Sequence, residues 1–225
     1  MGLDLISKIV TFCLLVLIIG CECSPDINTP RDVDPENSAN VAFFNVTDSY
    51  NSLSIRTDDY EIIEGLLKND NLSSYEQIEP FFSNVIISDS DEEIVRVPIE
   101  TKPESNYTGL IFEISNNVDL QIAEIENIPT GNNSNFLLFN SNLLSKISIN
   151  FGHEEVANEI LVNEYSFSNQ ITVEAKDYNF KIYDKDDSEL LDTLINFKLN
   201  TVYTIFYQHN HISNKGKLRL LEVNQ

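Results

Sequence analysis

Most of this chain lacks cysteine. Its three cysteines, Cys13, Cys21 and Cys23, lie near the amino terminus, and none follows them. The folded part therefore has no disulfide framework, no cysteine-based zinc site and no thiol nucleophile. Its stability has to come from apolar burial. A 225-residue chain that is 42% hydrophobic and 10% aromatic can fill one or two cores.

Glycine and basic side chains are also scarce. There are only seven glycines, and the chain has no phosphate loop, no dinucleotide fingerprint and no Gly-x-Ser-x-Gly elbow. Lysine and arginine together number 14 against 36 acidic residues, which gives a net charge of −22. A surface of this charge repels phosphate backbones and anionic lipids. We therefore expect no nucleic-acid partner, no catalytic residues and no cofactor.

A short apolar run, Ile9–Ile19, ends just before a cysteine. The run is too short for a membrane-spanning helix, which needs about 20 residues, and has the length of a signal-peptide core. Ile18-Ile19-Gly20-Cys21 resembles the cleavage site of bacterial lipoproteins, which implies a signal peptide at 1–20 and acylation of Cys21. The partner predicted there is a membrane, reached through the acyl chains. An ordinary secretory leader and an uncleaved anchor are the alternatives.

Residues 21–40 have the composition of a tether. They contain Pro25, Pro30 and Pro35, five acidic residues and few large apolar side chains, so they should remain extended. We expect this segment to hold the body away from a membrane of the bacterial cell envelope. Glu22 follows the cysteine, whereas the commonly described inner-membrane retention signal is aspartate there, so the sequence favours the outer membrane.

From Val41 onward, short β-branched and aromatic runs alternate with Asn, Asp and Ser clusters. Ile171–Ala175 alternates apolar and polar residues, as a strand with one buried face does. Many short strands separated by polar turns predict an all-β fold of sandwich type. The spacing of apolar residues in Ile62–Leu67 also fits a helical turn between strands.

The two halves of the chain look like copies of one domain. Phe43-Phe44-Asn45 matches Leu138-Phe139-Asn140, and Tyr107-Thr108 matches Tyr203-Thr204, in the same order and at similar spacing. Such self-similarity indicates duplication of a domain. Turn formers lie between the copies. We therefore predict two tandem β-sandwich domains: domain 1, the divergent copy, at 41–128 and domain 2 at 135–225.

The second half resembles a known family. Lys146–Gly152 resembles a family strand of the type "vdvyvnG", and Leu199–Phe206 resembles its "L-x-aGkaYTvf" signature, with Asn200 in place of the usual glycine. Asn135–Asn224 thus resembles the bacterial envelope domain called domain of unknown function 4397, and Asn40–Asn127 resembles it more faintly. The resemblance implies immunoglobulin-like or transthyretin-like β-sandwiches, often in tandem, on secreted or lipid-anchored proteins. It implies no catalytic residues.

Two acidic clusters are candidate cation sites. Asp89–Glu93 and Asp184–Glu189 bring carboxylates together, and carboxylates bind calcium. Neither cluster has the EF-hand order, and Asp and Ser between strands also make turns without any ion. We expect no metal. The candidate ligands, should calcium bind, are Asp184, Asp186, Asp187 and Glu189.

Two histidines are the other candidate. His209 and His211 are two residues apart, which places them on one face of a strand, as zinc or copper ligands can be. With a carboxylate such as Glu222 they form the nucleus of an alternative, metal-dependent enzyme.

The function we expect is that of a non-catalytic, lipid-anchored envelope protein. Its sandwiches would bind another envelope protein or a glycan, or serve a structural role. A calcium-dependent adhesion module and the metal-dependent enzyme are the alternatives.

Overall fold

The computed structural model describes residues 37–68, 70, 72–141, 147–151, 157–160, 162–183, 188–210 and 215–223. Within these residues the chain forms 18 β-strands and no α-helix, so the expected all-β fold is confirmed. No helix of this part is long and apolar enough to cross a membrane.

The first nine strands are β1 Ala39–Asn45, β2 Ser52–Arg56, β3 Glu61–Leu67, β4 Leu72–Ser73, β5 Glu76–Ile78, β6 Phe81–Asp89, β7 Glu92–Thr101, β8 Asn106–Ile114 and β9 Asn117–Ile125. The next nine are β10 Asn133–Asn140, β11 Ile147–Phe151, β12 Ala157–Ile160, β13 Ser166–Phe167, β14 Ile171–Glu174, β15 Asp177–Tyr183, β16 Glu189–Asn196, β17 Val202–Asn210 and β18 Lys215–Val223.

These strands form four sheets. Two of them pack against each other and are called inner, and each of the other two packs against one inner sheet and is called outer. The first inner sheet has the order β5-β1-β8-β9, and the first outer sheet has the order β3-β2-β6-β7. The second inner sheet has the order β13-β10-β17-β18-β4, with β14 also paired to β10, and the second outer sheet has the order β12-β11-β15-β16. The order β1-β8-β9 thus corresponds to β10-β17-β18, and β2-β6-β7 corresponds to β11-β15-β16.

Three apolar cores show how the sheets are layered. One core joins the first inner and outer sheets and includes Phe43, Ile55 and Ile87. A second joins the other two sheets and includes Phe136 and Phe180. A third lies between the two inner sheets and includes Phe44 and Phe139. The order of the layers is therefore outer, inner, inner, outer.

The core between the inner sheets, called the central core here, explains the most apolar strands of the chain. Its buried members are Ala42, Phe44, Val46, Leu110, Phe112, Phe139, Phe206, Leu221 and Val223. In β1, Val41 and Phe43 enter the first sandwich core, while Ala42 and Phe44 enter the central core. A strand buried on both faces reads as a continuous apolar run.

Aromatic rings fill much of the central core. The Phe139 ring lies 4.8 Å from the Phe112 ring across the two inner sheets, 4.9 Å from Phe167 and 6.0 Å from Phe206, measured between centroids. Pairs of this geometry contribute about 0.5–1.5 kcal/mol each beyond the area they bury.

The central strands of the two inner sheets run in the same direction. β8 is parallel to β1, and β17 is parallel to β10. Ile125, beside the start of β8, packs against Val202 at the start of β17. Near the other end of β17, the Gln208 amide donates a hydrogen bond of 3.3 Å to the Asp48 carboxylate. Therefore β1, β8, β10 and β17 all begin at one end of the stack, which we call the base.

The contact between the inner sheets includes a polar pair near the base. The hydroxyls of Thr108 and Thr204, which lie 96 residues apart in corresponding strands, share a hydrogen bond of 2.8 Å. Both side chains are fully buried. Each hydroxyl is thus satisfied by its counterpart in the other half of the chain.

The first half also contributes a strand to the second. The two residues of β4 pair in parallel with Glu222 and Val223 at the end of β18. This pairing extends the second inner sheet at one edge.

The alternative helical turn at Ile62–Leu67 is wrong, because these residues form β3. Leu66 pairs with Leu53, and Ile63 pairs with Ile55, so β3 carries one more residue than β2 over this stretch. Gly65 sits in that bulge with φ of +77°, a backbone conformation that glycine adopts without strain. The bulge shifts the apolar positions away from strict alternation, and this shift produced the helix-like spacing.

The Thr108–Thr204 hydrogen bond predicts a non-additive stability effect. Thr108→Val or Thr204→Val alone leaves one buried hydroxyl without a partner and should lower the free energy of unfolding by about 1–3 kcal/mol. The double variant removes both hydroxyls and should be more stable than either single variant. Urea unfolding of the four proteins measures this, and additive losses would contradict the assignment.

Tyr75 predicts a loss of stability at high pH. Its ring packs between the inner sheets, its hydroxyl has no hydrogen-bond partner among the described residues, and burial raises its pKa to about 12. Between pH 10 and 12 the unfolded chain loses this proton while the folded chain keeps it, so stability falls. We expect Tyr75→Phe to show a shallower fall in unfolding free energy over that range. Parallel curves for the two proteins would contradict this.

Candidate functional site

A groove of about 470 Å³ lies between β16 and β18. The floor is formed by Tyr203, Leu218 and Leu220, and the exposed side chains of Leu72 and Leu194 stand at its rim. β16 is the last strand of the second outer sheet, and β18 is followed in its own sheet only by the two residues of β4. The groove therefore opens between the edges of two sheets.

Strand alternation produces the apolar lining. Leu218 and Leu220 of β18 pack against the second sandwich core, while Leu221 turns to the central core. On β16, Ile195 is buried in the sandwich core and its neighbour Leu194 is exposed. The exposure of Leu194 depends on how the two sheets meet.

One end of the groove is polar. The Lys198 backbone N–H donates a hydrogen bond of 3.0 Å to the Tyr203 hydroxyl. The Lys198 ammonium donates one of 2.6 Å to the Glu222 carboxylate, and this bond raises the pKa of Lys198. Tyr203 is buried, and its ring meets Phe197 edge-on at 5.3 Å, so it serves packing and the turn rather than the groove surface alone.

The first half has the same polar framework. The Lys102 backbone N–H donates a hydrogen bond of 2.9 Å to the Tyr107 hydroxyl, and the Lys102 ammonium contacts Glu124 at 2.6 Å. At the position that corresponds to Leu218, however, Leu120 is buried. The second half is therefore more open at this edge than the first.

The two edge strands differ at one further position. Leu194 stands four residues before Lys198, and Pro98 of β7 stands four residues before Lys102. Proline has no N–H and blunts an edge strand against pairing with another chain. At the corresponding position β16 keeps its N–H, so its edge remains able to accept a strand.

The structure describes all of the first acidic cluster and only part of the second. Asp89–Glu93 forms the β6–β7 hairpin turn, with Ser90 in the left-handed region at φ of +56°. The expectation of a turn there is confirmed. Glu93 accepts a hydrogen bond of 3.2 Å from the Arg96 guanidinium.

Of the second cluster, only Glu189 among the four candidate ligands is described. Its carboxylate accepts a hydrogen bond of 2.9 Å from the Lys181 ammonium, which also contacts Asp192 at 3.1 Å. These two carboxylates raise the pKa of Lys181. Asp184, Asp186 and Asp187 lie outside the described residues.

Of the remaining histidine, carboxylate and cysteine candidates, only Glu222 has a described side chain. His209 lies in β17 opposite Gly216, but its side chain and all of His211 lie outside the described residues, as does Cys21. Glu222 is ion-paired with Lys198. In the part of the chain that the structure describes, no three His, Cys, Asp or Glu side chains converge on a point where they could hold a metal ion.

No model of a known protein family matches this chain, and no curated protein matches it.

Proposed function

We propose that this chain is a non-catalytic, lipid-anchored protein of the bacterial cell envelope that binds an extended segment of a partner protein. The binding site is the groove between β16 and β18. The observation that carries the proposal is the presence of an apolar groove between two sheet edges, one of which already holds a short added strand.

The β18 edge is suited to a second strand. Glu222 and Val223 pair with β4, and the residues of β18 before them continue the same edge along the groove. A strand added there would gain backbone hydrogen bonds, and every second side chain would point into the groove. Leu194, Leu218 and Leu220 offer apolar surface to those side chains.

The difference between the halves supports the same site. In the first half, Pro98 of β7 blocks pairing at the edge that corresponds to β16, and Leu120 of β9 is buried where Leu218 of β18 is half-buried in the groove lining. The two halves share the same strand order and the same Lys–Tyr and Lys–Glu contacts, so they differ in their sheet edges and not in their fold. Binding is accordingly assigned to the second half.

The sequence supports a lipid-anchored location at the cell envelope. The apolar run before Cys21 and the acidic, proline-containing segment after it have the pattern of a lipoprotein leader and tether. Two or more acyl chains hold a protein stably on a membrane, whereas one holds it only marginally. The charge of −22 leaves the acyl chains as the main attachment to the bilayer.

Leu194→Asp should abolish most of the groove binding. Decapeptides selected from a displayed random library on the wild-type protein should alternate apolar and polar residues, because only every second side chain enters the groove. A carboxylate at the rim disfavours apolar side chains there. We expect the Kd of a selected peptide, measured by fluorescence polarisation, to rise at least tenfold, about 1.4 kcal/mol.

The control for this experiment is Leu67→Asp. Leu67 is exposed at the end of β3, away from the groove, so this variant adds the same charge and should bind as the wild type does. Peptides methylated on alternate backbone nitrogens should lose binding in one of the two registers only. Equal binding to both aspartate variants, or no effect of methylation in either register, would contradict strand addition.

The anchor predicts a defined mature product. Protein expressed with its own leader should begin at Cys21, carry acyl mass and partition into detergent, because the acyl chains bury in the apolar phase. Cys21→Ala should lose the acyl mass and the partitioning. Intact mass and detergent partitioning measure both, and a soluble, unacylated wild type would contradict the proposal.

A further inference from the structure

Large apolar side chains are exposed at the base of the stack. Phe81 is 66% exposed and Phe82 is 73% exposed, and Ile128 and Leu199 are also exposed. Of the other exposed large apolar residues in the described part of the chain, Leu72 and Leu194 border the groove.

The pairings place these four residues at the base. Phe81 opens β6 and pairs with Thr101, which ends β7 shortly before β8 begins. Ile128 follows the end of β9, and Leu199 lies in the turn before β17 begins. Packed sheets lie about 10 Å apart, so residues from the first outer sheet to the second sandwich cover an end face about 30 Å wide.

Phe81 also has an unusual backbone. Its φ is +73°, in the left-handed region that bulky residues rarely adopt. Conformations of this kind persist where the surrounding structure imposes them, and they cluster at functional sites. Here the result is that two consecutive phenyl rings of one strand are both exposed.

The amino-terminal segment joins the fold at this same end. The Asn40 N–H donates to the Ser105 carbonyl at 2.9 Å, and the Glu104 N–H donates to the Ser38 carbonyl at 2.8 Å. These bonds fix the start of β1 beside the start of β8. The segment from Cys21 to Asn37 spans at most about 55 Å when fully extended. The base is thus the part of the fold joined most directly to the anchor.

We infer that the base lies on a lipid surface, with Phe81 and Phe82 inserted between headgroups and acyl chains. This inference rests on the proposed acylation of Cys21, which places the bilayer within reach of the base. It replaces the expectation that residues 21–40 hold the body away from the membrane. Phenylalanine and leucine side chains bury readily at the boundary between headgroups and acyl chains. The lipid surface is zwitterionic, because a chain of charge −22 is repelled by anionic headgroups.

Tryptophan fluorescence tests this contact, because the natural chain contains no tryptophan. Phe82→Trp places a single indole at the base, and Leu67→Trp places one at a site that is 59% exposed at the opposite end of its sheet. The acylated full-length variants are reconstituted in phosphatidylcholine vesicles with brominated acyl chains. At position 82 the emission should shift to the blue and lose most of its intensity, while at position 67 it should be unchanged.

The outcomes separate this inference from the proposed function. Protein that carries acyl mass and floats with the vesicles, but whose indole at position 82 is not quenched, overturns the inference and leaves the anchor intact. Protein that carries no acyl mass and does not float overturns both. A blue shift at position 82 that depends on protein concentration and occurs without vesicles shows that a second copy covers the base, and this also overturns the inference.

Discussion

Burial of the two inner sheets against each other is the contact on which the rest of the structure depends. Phe44 and Phe112 in one sheet and Phe139 in the other would form large exposed apolar faces if the sheets were apart. Their packing makes four layers from two sandwiches and aligns both in one direction. It also leaves the outer faces, the sheet edges and the two ends as the surfaces available for binding.

The charged side chains of this protein determine the charge of its surface and add little to the free energy of unfolding. Lys102, Lys181 and Lys198 all contact carboxylates near the surface, where solvent and salt screen such pairs. Stability comes from the aromatic and aliphatic side chains of the cores. Residues at the sheet edges can therefore differ between the two halves without loss of the fold. Pro98 and Leu194 occupy corresponding positions and give one edge that resists pairing and one that permits it.

Local pattern predicted much of the strand content but little of the arrangement. Alternation in Ile171–Ala175 and the apolar run that begins at Val41 both indicated strands that the structure contains. β4 has two residues and no apolar pattern, so its pairing with β18 has no local signal. The groove could not be predicted from the sequence either. Leu194 is apolar and has the pattern of a core residue, and its exposure depends on the position of the neighbouring sheet. Cys21 and most of the acidic candidates lie outside the described residues and stay predictions.

The position of β1 has a mechanical consequence. β1 lies inside its sheet, paired with β5 on one side and parallel to β8 over Asn40–Asn45 on the other. A force that pulls the amino-terminal segment along the strand axis acts across all of these hydrogen bonds at once, in shear, and cannot open them one by one. Unfolding under force is governed by the unfolding rate, so this geometry favours a long lifetime under load. A load applied between the amino terminus and the groove passes through the central core, which makes the contact between the halves a force-bearing joint.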